Sequence, residues 1–132
     1  MRSVTTDAAP QPAGHYSQAL VHDGTVYVAG QLPITPDGRK LGDRPVEEQT
    51  EQALRNVQAV LRAAGSDLDR LLSVTVYVSD IGLWSRVNAV YARVLGDHRP
   101  ARAVVPTTAL HYGLLVEIQA IAAAARSGSD TP

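Results

Sequence analysis

The chain has 132 residues and a mass of 14.0 kDa, the length of one domain with a real hydrophobic core. With 45% hydrophobic and 19% charged residues and a net charge of −1, it has a globular composition and lacks the basic excess of a nucleic-acid binder. Cysteine is absent, which excludes disulfides, thiolate catalysis and cysteine-held metals.

Residues 1–12 carry Pro10 and Pro12 among small and polar side chains, and the expectation is a flexible segment. The opening residues lack the apolar core of a signal peptide. No apolar run in the chain approaches the ~20 residues of a membrane span, so a cytoplasmic location is expected. The domain is expected to cover 13–125, and the polar tail 126–132 to be disordered. Tyr16 to Val21 and Thr25 to Ala29 read as strands around Asp23-Gly24, a strong hairpin signal. Pro33, Pro36, Asp37-Gly38 and Gly42 then mark a loop. Pro45 to Ala64 reads as a helix, with Val46, Ala53, Leu54, Val57, Val60 and Leu61 in one stripe and Gly65 as its stop. Leu72 to Val78 alternates as a strand does. Ile81 to Leu95 is a second helix, Ser79 or Asp80 its N-cap, Gly96 its end. Ala101 to Val105 and Leu114 to Ala123 complete the order β-β-α-β-α-β-β.

This is an α+β pattern in which two helices cover one face of a four- or five-stranded sheet. In the last strand Leu115 and Ile121 lie opposite Leu114, Val116, Ile118 and Ala120, so both faces carry apolar groups. A homo-oligomer burying sheet against sheet follows as an expectation.

Phosphate-binding and nucleotide-binding glycine motifs and the G-x-S-x-G elbow are absent. His15, His22, His98 and His111 stand too far apart for helical ligand spacing, so no metal site is expected. Arg102 is unusual, because its strand is otherwise small and apolar. It reaches solvent, pairs with a carboxylate, or clamps a substrate carboxylate. Glu117 stands in a nearly apolar strand, where a carboxylate faces water, pairs with arginine, or holds a raised pKa suited to proton transfer. Together the two make a structural ion pair or a site. Asn88 falls between apolar helix positions, and Tyr16 reads as a half-buried strand aromatic or a proton donor. Gly30 stands where close backbone approach of a ligand is possible.

In combination, these segments resemble the RidA (YjgF) family of enamine/imine deaminases, also described as L-PSP endoribonuclease-like proteins. The resemblance runs from about Gly14 to Ala123. It is carried by Gly14-His15-Tyr16-Ser17-Gln18-Ala19, Val28-Ala29-Gly30-Gln31-Leu32-Pro33, Val87-Asn88-Ala89-Val90-Tyr91, Arg99-Pro100-Ala101-Arg102 and Val116-Glu117-Ile118-Gln119-Ala120, in that order. It implies a chorismate-mutase-like fold and a homotrimer with a central barrel, helices outside, and sites in the clefts between subunits. It also implies hydrolysis of 2-aminoacrylate and its imine to 2-oxo acids and ammonia, without a cofactor. Such intermediates are released by pyridoxal-phosphate enzymes such as serine and threonine dehydratases.

On that resemblance Arg102 binds the substrate carboxylate, assisted by backbone N–H groups near Val104 and Gly30. Glu117 holds the attacking water and moves protons, while Tyr16 and Asn88 orient water or substrate. Three departures stand out. Ala29 replaces a common serine, Val104 replaces a common cysteine, and the loop 107–113 brings His111 and Tyr112, which line the site or cap a loop. Two other functions compete: a non-catalytic trimeric module binding carboxylate metabolites, and a pathway-specific deaminase for a larger imine. A ribonuclease role fits the slightly acidic charge poorly.

Overall fold

Asp23 and Gly24 both adopt positive φ (51° and 76°), the conformation of a tight two-residue hairpin turn, and they join β2 (Ala19–His22) to β3 (Thr25–Gln31). The computed structural model describes residues 1–125; the tail 126–132 lies outside the described residues. Helix α1 (Val46–Ala63) starts after Pro45 and ends before Gly65, whose φ is 80°. Strand β4 (Leu71–Val78) follows a short 3-10 turn. The expected second helix is divided. Asp80 caps a 3-10 turn at Ile81–Leu83, and α2 runs Trp84–Leu95. Strands β5 (Ala101–Pro106) and β6 (Val116–Ala123) complete the chain.

The N-terminal expectation is corrected by a further strand, β1 (Arg2–Val4), antiparallel to β2. Val4 and Ala9 are buried. The buried Gln18 side chain accepts from the Thr6 N–H (2.7 Å) and donates to the Thr6 and Pro10 carbonyls (3.0 and 2.9 Å). One side-chain amide thus replaces the ladder that the irregular segment cannot make for itself. Engaging Gln18 in this way also shortens the predicted first strand, so Tyr16 lies in the bend before β2 rather than in a strand.

The six strands form one sheet in the order β1-β2-β3-β6-β4-β5, antiparallel except for the β4–β5 pair. Both helices lie on one face. Val26, Val28, Val74, Val76 and Ile118 of the strands share a single core with Leu54, Val57, Leu61 and Tyr91 of the helices. A fully buried Leu or Ile contributes about 1.5–3 kcal/mol relative to exposure, so this face holds most of the fold's driving force. On the opposite face Leu20, Tyr27 and Val105 are exposed, as the two-sided apolar pattern predicts.

Candidate functional site

Register decides where Arg102 and Glu117 point. In the β4–β5 pair Arg102 stands opposite Val74 and Val104 opposite Val76, both core positions, so Arg102 and Val104 belong to the helix side. In the β4–β6 pair Glu117 stands opposite Tyr77 and Gln119 opposite Thr75, on the bare face. Strand β4 lies between β5 and β6. Within one chain the two residues therefore occupy opposite faces and make no ion pair with each other.

On the helix side, Arg102 Nη1 donates to Asn88 Oδ1 at 2.7 Å. Its guanidinium lies 4.7 Å from the Tyr91 ring centre and 6.0 Å from that of Trp84. Asn88 and Tyr91 are three residues apart on α2, which puts both on the face turned to β5. No carboxylate pairs with Arg102 among the described residues. It is an exposed cation held by a neutral amide and two π faces, with most of its donors open to an anion. A cavity of about 520 Å³ opens beside it, bordered by Asn88, Tyr91, Leu95, His98 and Arg99. His98 bonds the Leu71 carbonyl at 2.7 Å and so fixes the approach to β5. The Tyr91 hydroxyl is buried without a hydrogen-bond partner, and burial raises its pKa despite the nearby Arg102 charge. Val104, half-buried against the core, offers backbone rather than side-chain chemistry here.

The bare-face half is built on a bulge. Val28 pairs with Ala120 but Gln31 with Ile118, so three steps along β3 match two along β6. Gly30 occupies the extra length, and the Glu117 carboxylate lies on it: a Cβ there would overlap Glu117 Oε2. The close approach expected at Gly30 is thus made by the protein's own carboxylate. Burial raises the Glu117 pKa, and the nearby His111 partly offsets this. Ala29 spends its N–H on the Gln18 carbonyl (2.9 Å) and its own carbonyl on the Gln31 amide (3.2 Å).

Next to Gly30 a second cavity of about 210 Å³ is bordered by Tyr16, Leu32, Ile34, His111 and Tyr112, with the N-terminal segment as its rim. Tyr16 is half-exposed, and its hydroxyl accepts from the Ala13 N–H at 3.3 Å. Tyr112 has φ 59°, a conformation few bulky side chains adopt and one that costs of order 1–3 kcal/mol. Its ring stacks on His111 at 4.5 Å, 12° from parallel, and Lys40 Nζ lies 4.6 Å from the ring centre.

The structure thus gathers Glu117, Gly30, Tyr16, His111 and Tyr112 at one place, with Ala29 adjoining, and Arg102, Asn88 and Val104 at another. Sequence reasoning missed Trp84 and Tyr91 as neighbours of Arg102, because helical spacing marks an aromatic as core whatever its ring also touches. It also missed Lys40, whose only sequence signal is being the single lysine. No group of three or more potential metal-binding side chains occurs among the described residues, and no helix there is long and apolar enough to cross a membrane.

Residues 6–124 match the family model described as Endoribonuclease L-PSP. A RutC family protein of Pyrococcus horikoshii is 40% identical over 119 residues, covering 90% of this chain and 94% of that protein. The human 2-iminobutanoate/2-iminopropanoate deaminase is 37% identical over 121 residues, covering 92% and 88%. The crystal structure of yeast Mmf1 superposes with a TM-score of 0.91 at 35% identity, covering 94% of this chain and 98% of that one. That of Escherichia coli TdcF with bound serine does so at 0.89 and 29% identity, covering 95% and 100%.

Proposed function

The chain belongs to the endoribonuclease L-PSP family, the RidA group its sequence resembles, and on that premise we propose that it hydrolyses reactive enamines and imines to 2-oxo acids and ammonia. The observation that carries this reading is Arg102: a guanidinium held in place by Asn88 with no carboxylate partner among the described residues. A planar two-pronged cation in that state suits the carboxylate of a small amino-acid-like substrate. The bound serine named for the TdcF structure and the deaminase name of the human relative support the same class of ligand.

Arg102 and Glu117 lie on opposite faces of one chain, so a site using both needs a second copy. A homotrimer meets that need by setting one subunit's β5 edge against the bare sheet face of the next, and it covers Leu20, Tyr27 and Val105. In the assembled cleft Arg102, with backbone N–H groups near Val104 and Gly30, grips the carboxylate. The enamine takes a proton from solvent on its terminal carbon and becomes the protonated imine. Glu117 takes a proton from a water as the water's oxygen attacks the imine carbon. It returns that proton to nitrogen as the carbon–nitrogen bond breaks, and the hydroxyl proton left on the former water passes to solvent, leaving a ketone and ammonia. The raised pKa of Glu117 fits it to both directions of transfer. Tyr16 and Asn88 orient water and substrate. The imine is already an electrophile, so the chemistry asks for no cofactor. The supply comes from pyridoxal-phosphate dehydratases, and the place of action is the cytoplasm.

The test is direct. Added to a serine or threonine dehydratase reaction, the protein speeds 2-oxo acid release, and Arg102→Ala removes the gain. An unchanged rate with the wild-type chain, alongside saturable 2-oxo acid binding by calorimetry, would instead establish the non-catalytic binding module.

A further inference from the structure

We propose that His111 and Tyr112, braced by Lys40, form a selectivity wall that admits imino acids with a flat apolar side chain in preference to the three-carbon imine. The proposal rests on the imine-deaminase reading and names the substrate class of that site.

Four observations carry it. First, the cavity measures about 210 Å³ and is bordered by Tyr16, Tyr112 and Gly30, the glycine against which the Glu117 carboxylate lies. A substrate ending in a methyl group would leave this space to water. Second, most side chains bordering it are aromatic or aliphatic, Tyr16, Leu32, Ile34, His111 and Tyr112 among them, with Gln11, Gln18 and Gln31 as the polar remainder. Among the described residues no Asp, Glu, Arg or Lys borders it directly, so its inner surface favours an uncharged substituent. Third, the wall is braced by two contacts on the Tyr112 ring. The two rings stack at 4.5 Å, and the Lys40 ammonium stands 4.6 Å from the Tyr112 ring centre. Fourth, Tyr112 keeps its bulky ring at φ 59°, next to Gly113 at φ 70°. A glycine would meet that backbone without strain, so the ring is retained against a local cost, the mark of a functional position. A braced aromatic wall selects for planar apolar groups as hydrophobic pockets do, by the area it covers.

The experiment generates imino acids in place from alanine and from phenylalanine with an amino acid oxidase, and measures hydrolysis against semicarbazide trapping. Calorimetry of pyruvate and phenylpyruvate binding runs on the same samples. The wild-type chain is expected to favour the phenylalanine-derived imine by roughly tenfold or more in kcat/KM, and phenylpyruvate by a similar factor in Kd. Tyr112→Gly removes the ring and relieves the backbone. It should bring both ratios close to one while the thermal midpoint stays level or rises. Lys40→Met should lower the ratios part of the way. Equal handling of both imines, with ratios unmoved in Tyr112→Gly, overturns the wall and leaves the deaminase reading standing. No hydrolysis of either imine, with phenylpyruvate still preferred and that preference lost in Tyr112→Gly, retains the wall and overturns the deaminase reading. Absence of both preference and turnover overturns both.

Discussion

On the helix-covered side of the sheet, Arg102 is a cation with a neutral amide for company, exposed at an edge strand. On the bare side, Glu117 is a carboxylate half-withdrawn from water over a glycine bulge. Each half lacks what the other holds. Had both side chains shared a face on neighbouring strands, they would have neutralised each other in a permanent ion pair, and neither would have been ready for a ligand. The intervening β4 prevents that, and separation within the chain keeps both groups chemically available.

The sharpest way to break this comparison is to remove one half at a time. Arg102→Ala and Glu117→Gln are each expected to lower kcat/KM on the imine by roughly a hundredfold or more, with secondary structure by circular dichroism unchanged. Refolding the two inactive variants together should restore about a quarter of wild-type activity, because half-sites from different chains then meet at random. No recovery would mean that the halves do not meet across subunits.

Stability should respond to the helix side instead. Leu54→Ala, in the shared core, is expected to cost about 2–5 kcal/mol in urea unfolding, while Tyr27→Ser on the bare face should chiefly weaken self-association, measured by sedimentation. Gly30→Ala sharpens the comparison further. The added methyl displaces the flexible end of Glu117 rather than backbone, so activity should fall roughly tenfold with little change in the thermal midpoint.

The smallest effect concerns pH. Burial raises the Glu117 pKa in the folded chain, so the native state binds more protons than the unfolded state between the ordinary and the raised value. Stability contributed by Glu117 therefore falls as pH rises through that window, and Glu117→Gln should flatten that part of the denaturation profile.

Much of this was legible in the residues. The hairpin turn, the first amphipathic helix and the alternation of β4 are local patterns that appear within a residue of their expected places, while the second helix starts three residues later than expected, after a 3-10 turn. The N-terminal strand was not legible, because three residues are too few for a period and their partner, β2, begins only at Ala19. Arg102 and Glu117 could be singled out by their apolar surroundings. Their opposite facing could not be, since it follows from the registers in which β5 and β6 pair with β4, a matter of long-range pairing rather than of composition. The Lys40–Tyr112 contact joins two loops far apart in sequence, and no periodicity announces it.

The stitching of residues 6–10 by Gln18 has an evolutionary consequence. That segment borders the cavity, yet apart from Ala9 it contributes little to the shared core. Descendants of this chain could lengthen, shorten or rewrite the rim while keeping the glutamine. The breadth of molecules admitted could then drift quickly on a framework that scarcely changes.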